Sequence, residues 1–389
     1  MDFGLAGPGP SVMMPTGNLQ RMTPARYIMV GGFLGAGKTT AILRMAEALD
    51  RGGRRVGLIT NDQSVGLVDT TVLAAHGFPV EEITGGCFCC RFNSLVDAAE
   101  RLAAGTRPDV FIAEPVGSCT DLRASVSYPL RRMYGDAYTV APLSVVVDPV
   151  RALRALGLEP GRSFSPKVLY VYRKQLEEAG LILINKVDAI EPARVAVLHE
   201  ALTREYPKAR IFEVSARTGQ GMDAWIDVLT HDEAAGDADL DIDYATYGEG
   251  EALLGWVNCT HRLAGADFDG NAFVHDVAAR IAGTLSVAGT EIAHLKMTLT
   301  PAGGDGDLAV LNQVRTEQRA ELSHALDGEL SRGELIVNLR AEGDPARLAA
   351  AVDTAILDAA DAQSLVVSLV HSEHFRPGQP NPTHRLAPV

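Results

Sequence analysis

Nowhere in these 389 residues do roughly 18 apolar residues stand together, the length a membrane-spanning helix needs, and no Lys/Arg-led apolar leader opens the chain. A cytoplasmic protein without a membrane partner is the expectation. Basic residues are also scarce, 35 Lys and Arg facing 49 Asp and Glu for a formal net charge of −14 at pH 7. Nucleic acid is therefore excluded as a partner, because phosphate binding calls for a basic stripe and none is visible. Cysteines number five, too few and too unevenly placed for a disulfide framework. Three of them, Cys87, Cys89 and Cys90, fall within four positions, which in a reducing compartment is the pattern of a metal or redox site. Cys119 and Cys259 stand alone and read as small hydrophobes.

Cations are missing altogether from Thr218 to His261, where Asp232, Glu233, Asp237, Asp239, Asp241, Asp243, Glu249 and Glu251 crowd together. Acids alternating with Gly and Ala cannot bury enough apolar surface to order themselves, so residues 232–250 read as an acidic linker. Before it, apolar runs at 26–30, 55–60, 109–113, 143–147, 181–184 and 210–214 alternate with helical stretches. Such alternation predicts an α/β fold, a mainly parallel sheet covered by helices on both faces with ligands at the carboxyl ends of its strands. After the linker, strands are expected at 252–259, 292–300, 308–315, 334–339 and 365–371, with helices at 272–284 and 345–359. That is a smaller α+β domain, a four- or five-stranded sheet with two helices on one face. The division is then a mobile N-terminal extension (1–25), a P-loop NTPase domain (26–231), the linker (232–250), the α+β domain (251–376) and a tail (377–389).

The strongest local pattern is Gly32-Phe33-Leu34-Gly35-Ala36-Gly37-Lys38-Thr39, a Gly-x-x-x-x-Gly-Lys-Thr loop between an apolar run and a helix. Glycines let backbone N–H groups from Gly35 through Ala36, Gly37 and Thr40 close on phosphates, and the helix adds its positive end. Lys38 belongs on the β/γ-phosphates and the Thr39 hydroxyl on Mg²⁺. Glu114 ends the third apolar run, where a carboxylate reaches the same Mg²⁺, and Gly117 lets the next loop pass a γ-phosphate. Asn185-Lys186-Val187-Asp188 closes another run. The Asp188 carboxylate can accept from guanine N1–H and N2–H₂ together, a match adenine lacks, while Asn185 braces the base loop and the Lys186 stem covers the ring. Ser215-Ala216-Arg217 follows the next strand, where a backbone N–H can meet guanine O6. Together they favour GTP over ATP.

Cys87, Cys89 and Cys90 follow the turn Thr84-Gly85-Gly86 and precede a helical run from Phe92. Thiolates at i and i+2 can converge on one tetrahedral ion, and a helix N-terminus favours the thiolate form. Zn²⁺ usually wants four ligands, so water, another side chain, a neighbouring protomer or a client protein must supply the fourth. Buried small residues at a tight turn, or a redox pair, are the competing readings. His371, His374 and His384 cluster loosely near the end of the chain and suit a surface or client contact better than a metal.

These motifs together resemble the CobW-type metallochaperone GTPases, kin to the nickel chaperones of hydrogenase and urease maturation. The likeness covers residues 26–229 and rests on Gly32 to Thr40, on Gly86-Cys87-Phe88-Cys89-Cys90 for the family's Gly-Cys-x-Cys-Cys, on Glu114-Pro115-Val116-Gly117 for its Glu-x-x-Gly Walker B variant, and on Asn185 to Asp188. It implies GTP hydrolysis coupled to delivery of Zn²⁺, Co²⁺ or Ni²⁺, with the cysteines as cargo ligands. A client metalloenzyme or apo-protein is the implied partner, the smaller domain shapes its recognition, and a homodimer is allowed. The alternative is a regulatory or assembly GTPase that remodels a metal- or corrinoid-dependent client without carrying free metal. Where the family reads Asn-Glu-Phe-Gly-Glu-x-Gly-x-Asp, this chain has Asn61-Asp62-Gln63-Ser64-Val65-Gly66-Leu67-Val68-Asp69. Asp62 is the expected partner of Glu114 in ordering metal or water, and residues 61–71 are the expected switch.

Overall fold

Two sheets, one parallel and one antiparallel, organise the computed structural model, which describes residues 24–61, 73–74, 76–234, 240–303 and 307–387. The parallel sheet contains β1 (Ala25–Gly31), β2 (Val56–Asn61), β3 (Val80–Ile83), β4 (Val110–Glu114), β5 (Tyr138–Val140), β6 (Ser144–Val147), β7 (Leu181–Ile184) and β8 (Arg210–Glu213). They run in the order β3-β2-β4-β1-β6-β7-β8, with β5 also on β1. Helices α1 (Lys38–Arg51), α2 (Phe92–Gly105), α3 (Tyr128–Tyr134), α4 (Pro149–Ala155), α5 (Pro166–Glu177), α6 (Pro192–Glu205) and α7 (Met222–His231) connect or follow these strands.

Burial on both faces explains why the strands read as unbroken apolar runs. Tyr27 and Met29 of β1 join Phe111 and Ala113 of β4 in one core, while Ile28 and Val30 join Val110 and Ile112 in the core behind the sheet. Pairing of Met29 with Ala113 sets Glu114, the last residue of β4, directly beside the loop that leaves β1. The carboxyl ends of β1, β4, β6, β7 and β8 thus share one edge.

The linker is in part a helix. Asp243 caps α8 (Tyr244–Ala252), its carboxylate accepting from Ala245 N–H at 3.0 Å, and Tyr247 and Glu251 are buried. One aromatic ring and a row of small residues sufficed to dock this segment, which the acidic composition alone hides. Residues 235–239 lie outside the described residues, as do residues 1–23 of the N-terminal extension.

The antiparallel sheet has six strands where four or five were expected, in the order β12-β11-β10-β13-β9-β14. These are β9 (Leu254–Phe268), β10 (Ile292–Pro301), β11 (Ala309–Gln313), β12 (Glu321–His324), β13 (Leu330–Glu342) and β14 (Val366–Phe375), with α9 (Gly270–Val287) after β9 and α10 (Pro345–Ala362) before β14. β9, β10, β13 and β14 with the two helices make a split βαββαβ unit, and β11 and β12 extend its edge. β12 escaped the sequence because three of its four residues are polar and exposed. Leu295, Met297, Val337 and Leu339 point to the helices. The alternating partners His294, Lys296, Asn338 and Arg340 belong to the opposite face, consistent with the period of a strand.

One buried side chain binds the two sheets together. The Arg151 guanidinium of α4 donates to the carbonyl of Leu34 in the phosphate loop and to those of Ile292 (3.3 Å), Ala293 (3.0 Å) and Val314 in the second sheet. It also lies over the rings of Phe33 and Phe164, 5.3 and 5.2 Å from their centroids. Replacing Arg151 by Leu would leave those buried carbonyls unpaired at a cost of about 3 kcal/mol or more. The expected result is a urea transition split in two, followed by fluorescence of Trp225 and Trp256; a single unshifted transition would contradict it.

Candidate nucleotide and metal site

A cleft of about 640 Å³ opens at the carboxyl edge of the parallel sheet. Its floor is the phosphate loop. Gly37 has φ +95° and a Cβ there would stand 2.5 Å from the Asn185 amide, so the turn into α1 is open to glycine alone. Thr39 Oγ1 donates to the Glu114 carboxylate at 3.1–3.2 Å, and Lys38 Nζ lies 3.7 Å from Glu114 Oε1. A hydroxyl and a carboxylate so placed form the hard oxygen donor set that Mg²⁺ takes. Gly35, Ala36 and Thr40 complete the loop around them. Asp62 and residues 62–71 of the expected switch lie outside the described residues.

At the other end of the cleft Asn185 works as a brace, its amide donating to Ala36 O at 3.0 Å and its carbonyl accepting from Ala216 N–H at 2.9 Å. Lys186, in the left-handed region at φ +59°, donates to Gly35 O at 2.7 Å and to Asp148 at 2.9 Å. Asp188 faces Arg217 at 2.5 Å. Burial raises its carboxyl, but hydrogen bonds from Ser215 and Arg217 outweigh that and leave it below the usual range. Thr218 N–H donates to Ser215 Oγ at 3.1 Å, which shapes the loop carrying Ala216. The phosphate-side and base-side candidates therefore converge on one cleft.

The cleft has a second wall that local motifs do not announce. His294, Lys296, Asn312 and Arg315 line it from the antiparallel sheet. Arg315 reaches across to Asp148 at 2.6 Å, and Arg217 pairs with Glu321 as well as with Asp188. Burial pushes Asp148 up, yet Lys186, Arg315 and Arg151 more than reverse this and hold it ionised. His294 is held neutral by burial and by the charges of Lys296, Lys186 and Lys38. The one sequence signal for Asp148 was its Asp-Pro step at a strand end, which makes it the cap of α4.

The cysteine turn lies on the far side of β4. Its three Sγ atoms are 2.8 Å (Cys87 to Cys89), 3.2 Å (Cys87 to Cys90) and 3.7 Å (Cys89 to Cys90) apart, and they are the group with metal-ligand geometry among the described residues. Cys87 and Cys89 are buried and Cys90 is half-buried. Hydrogen bonds from Cys119, Cys89 and Cys90 lower the Cys87 thiol, while Cys89 and Cys119 are raised because they donate to it. Cys119, read from sequence as a lone hydrophobe, is buried in the same core but stands outside the three thiols in metal-ligand range. Asn61, the last residue of β2, fixes the turn before Cys87 through its amide, which donates to Ile83 O at 3.0 Å and Gly86 O at 2.7 Å.

The expected tail is packed across this turn. Asn381 N–H donates to Cys90 Sγ at 3.2 Å and Thr383 N–H to Cys89 O at 2.8 Å, while His384 meets the Phe92 ring edge-on at 5.1 Å. Arg385 pairs with buried Asp121 at 2.8 Å. Backbone polar groups at the turn and an acid beside it give the segment its partners, which Pro content obscures. His371 and His374 stay on β14, apart from His384.

Residues 26–213 match the model of the CobW/HypB/UreG nucleotide-binding domain. The likeness to that family lies in the first domain. Over 214 residues the chain is 30% identical to the zinc chaperone CobW of a Sinorhizobium species, covering 49% of this chain and 59% of that protein. Over 172 residues it is 31% identical to the zinc chaperone YeiR of Escherichia coli K12, covering 43% and 48%. The hydrogenase maturation factor HypB of Archaeoglobus fulgidus superimposes with a TM-score of 0.38 at 20% identity, over 53% of this chain and 89% of that one. The chain spans about half the length of the curated relatives it matches. Among the described residues no helix is long and apolar enough to cross a membrane.

Behind the site, Glu178 accepts from Thr120 Oγ1 at 3.0 Å and Arg123 N–H at 3.2 Å. Burial, then the charge of Asp121, pushes its carboxyl up to about 8, against 4.5 unperturbed. An acid raised on folding holds its proton longer in the folded state. Stability should therefore fall as pH climbs from about 4.5 to 8, by on the order of 4 kcal/mol. Glu178→Gln is expected to remove most of that slope in thermal melts between about pH 5 and pH 8, with Glu251, also raised by burial, keeping a remainder. A slope identical to that of the unsubstituted protein would contradict this assignment.

Proposed function

We propose that this chain is a GTP-hydrolysing metallochaperone that holds a transition metal on Cys87, Cys89 and Cys90 and delivers it to a client metalloenzyme or apo-protein. The observation that carries the reading is the convergence of three thiols within 3.7 Å at the end of β3, on the same carboxyl edge of the sheet as the phosphate loop after β1 and with β2 and β4 between them. Zn²⁺ is the first choice of cargo, since soft thiolates suit it and four of the relatives are named zinc chaperones.

In this mechanism backbone N–H groups of Gly35 to Thr40 and the Lys38 ammonium bind the GTP phosphates. Thr39 and Glu114 would hold Mg²⁺, which neutralises charge between the β- and γ-phosphates. Asp188 would read guanine N1–H and N2–H₂ once Arg217 yields its oxygen, with a backbone N–H of the 215–217 loop meeting O6. Lys186 packs on the base while its ammonium stays on Asp148. Phosphoryl transfer needs mainly positioning and charge neutralisation, so without an added arginine turnover is slow. A GTP-dependent change at Glu114 then passes to the thiols and governs whether the cargo is kept or released.

Asp188→Ala should abolish the preference for GTP over ATP, read as competition between the two for binding; an unchanged preference would contradict the guanine assignment. Cys87→Ser with Cys89→Ser should eliminate stoichiometric Zn²⁺, measured by metal analysis after dialysis, with GTP binding retained. Full metal occupancy in that variant, together with GTP-dependent capture of a client, would favour an assembly GTPase that carries no free metal.

A further inference from the structure

We propose that residues 381–386 form a strap over the cysteine turn that must lift before a chelator or client reaches the cargo ion, so that opening of the strap sets the rate at which the metal leaves. The inference rests on the metal-carrying reading above, but the strap itself is defined by contacts that need no ion.

Both ends of the segment are anchored. At its entry Arg376 donates to the carbonyl of Ala252, Pro377 and Pro380 are buried, and a Cβ on Gly248 of α8 would stand 3.0 Å from Gln379 Cγ and 3.4 Å from Pro380 Cδ. At its exit Leu386 N–H donates to Ala124 O at 2.9 Å, and the Arg385 guanidinium donates to Asp121 Oδ2 at 2.8 Å and to Leu240 O at 3.0 Å. The Asp121 side chain is 1% exposed, and Tyr244 OH donates to the same carboxylate oxygen at 2.5 Å. Proline at 377, 380 and 382 fixes φ and brings no N–H, which keeps the span extended instead of continuing β14 or coiling into a helix.

Between the anchors the contacts are made by the backbone. Asn381 and Thr383, two positions apart on an extended chain, turn their N–H groups to Cys90 Sγ at 3.2 Å and Cys89 O at 2.8 Å, and Thr383 Oγ1 donates to Cys90 O at 3.0 Å. Both residues are exposed. A few neutral hydrogen bonds thus hold the middle while an ion pair to a buried acid holds the exit, the pattern of a segment that opens locally without unfolding the domain beneath it. Cys90 is the half-buried member of the trio, whereas Cys87 and Cys89 are buried in the core. Three thiolates leave a tetrahedral ion with one position to fill, so transfer needs an incoming ligand, and the approach from solvent passes Cys90 and the strap on it.

Alkylation of Cys90 by iodoacetamide in the metal-free full chain tests the strap directly. It is read as the plateau rate at high pH, where the thiolate fraction no longer matters, with the modified sulfur located by peptide fragmentation. Thr383→Pro removes the N–H and hydroxyl donors to the turn, and Arg385→Ala removes the ion pair. Each should raise the plateau rate about tenfold, because modification through local opening tracks the opening equilibrium. Arg385→Lys, which keeps the charge but not the planar fork, should fall between Arg385→Ala and wild type. Equal plateau rates in wild type, Thr383→Pro and Arg385→Ala, with matching circular dichroism, would overturn the strap. In zinc-loaded protein, transfer to excess 4-(2-pyridylazo)resorcinol should proceed at a rate independent of chelator concentration in wild type and about tenfold faster in the two variants. Faster alkylation with unchanged zinc transfer would overturn control of the metal by the strap. A wild-type chain that binds no zinc would reject the proposed function and the hold on a cargo ion, with the alkylation rates still deciding whether the strap covers Cys90.

Discussion

The Arg151 guanidinium, fully surrounded by protein, holds the phosphate loop and the second sheet in one register. Its donors end on carbonyls of Leu34 on one side and of Ile292, Ala293 and Val314 on the other. Burial lowers its pKa, yet a guanidinium remains charged, and Asp148 nearby carries the opposite sign. That charge pattern spreads outward, because Asp148 is shared with Lys186 and Arg315, which stand on opposite walls of the cleft. The cleft is therefore a product of docking as much as of the nucleotide domain.

This dependence explains how the sequence could be read. The parallel sheet was legible because strands buried on both faces must be apolar throughout, as 181–184 and 143–147 are. The phosphate loop, Glu114, Asn185 and Asp188 were legible because phosphate and guanine each demand a fixed local pattern. The cleft wall was not, since His294, Lys296 and Arg315 become meaningful only when β10 and the turn after β11 are folded against residues far earlier in the chain. β12 was hidden by its polarity, α8 by the acids around Tyr247.

Two contacts lie along the edge of the sheet that carries the phosphate loop and the cysteine turn. One is Asn61, which ends β2 where the expected switch begins and whose amide holds the turn before Cys87. The other is the loop after Glu114, in van der Waals contact with Leu34 at Gly117. Contacts of this kind transmit displacement because packed interiors do not deform gradually.

Protons complete the coupling. The cluster favours one thiolate on Cys87, with Cys89, Cys90 and Cys119 held as thiols by the negative charge they share. A metal must drive off those remaining protons, so its affinity rises with pH and its departure is assisted by reprotonation. The segment 381–386 bears on the same balance, since the Asn381 N–H on Cys90 Sγ favours thiolate at the half-buried member while the rest of the strap limits access of water to it. The half-buried sulfur of Cys90 is therefore the member of the trio that the segment covers most directly.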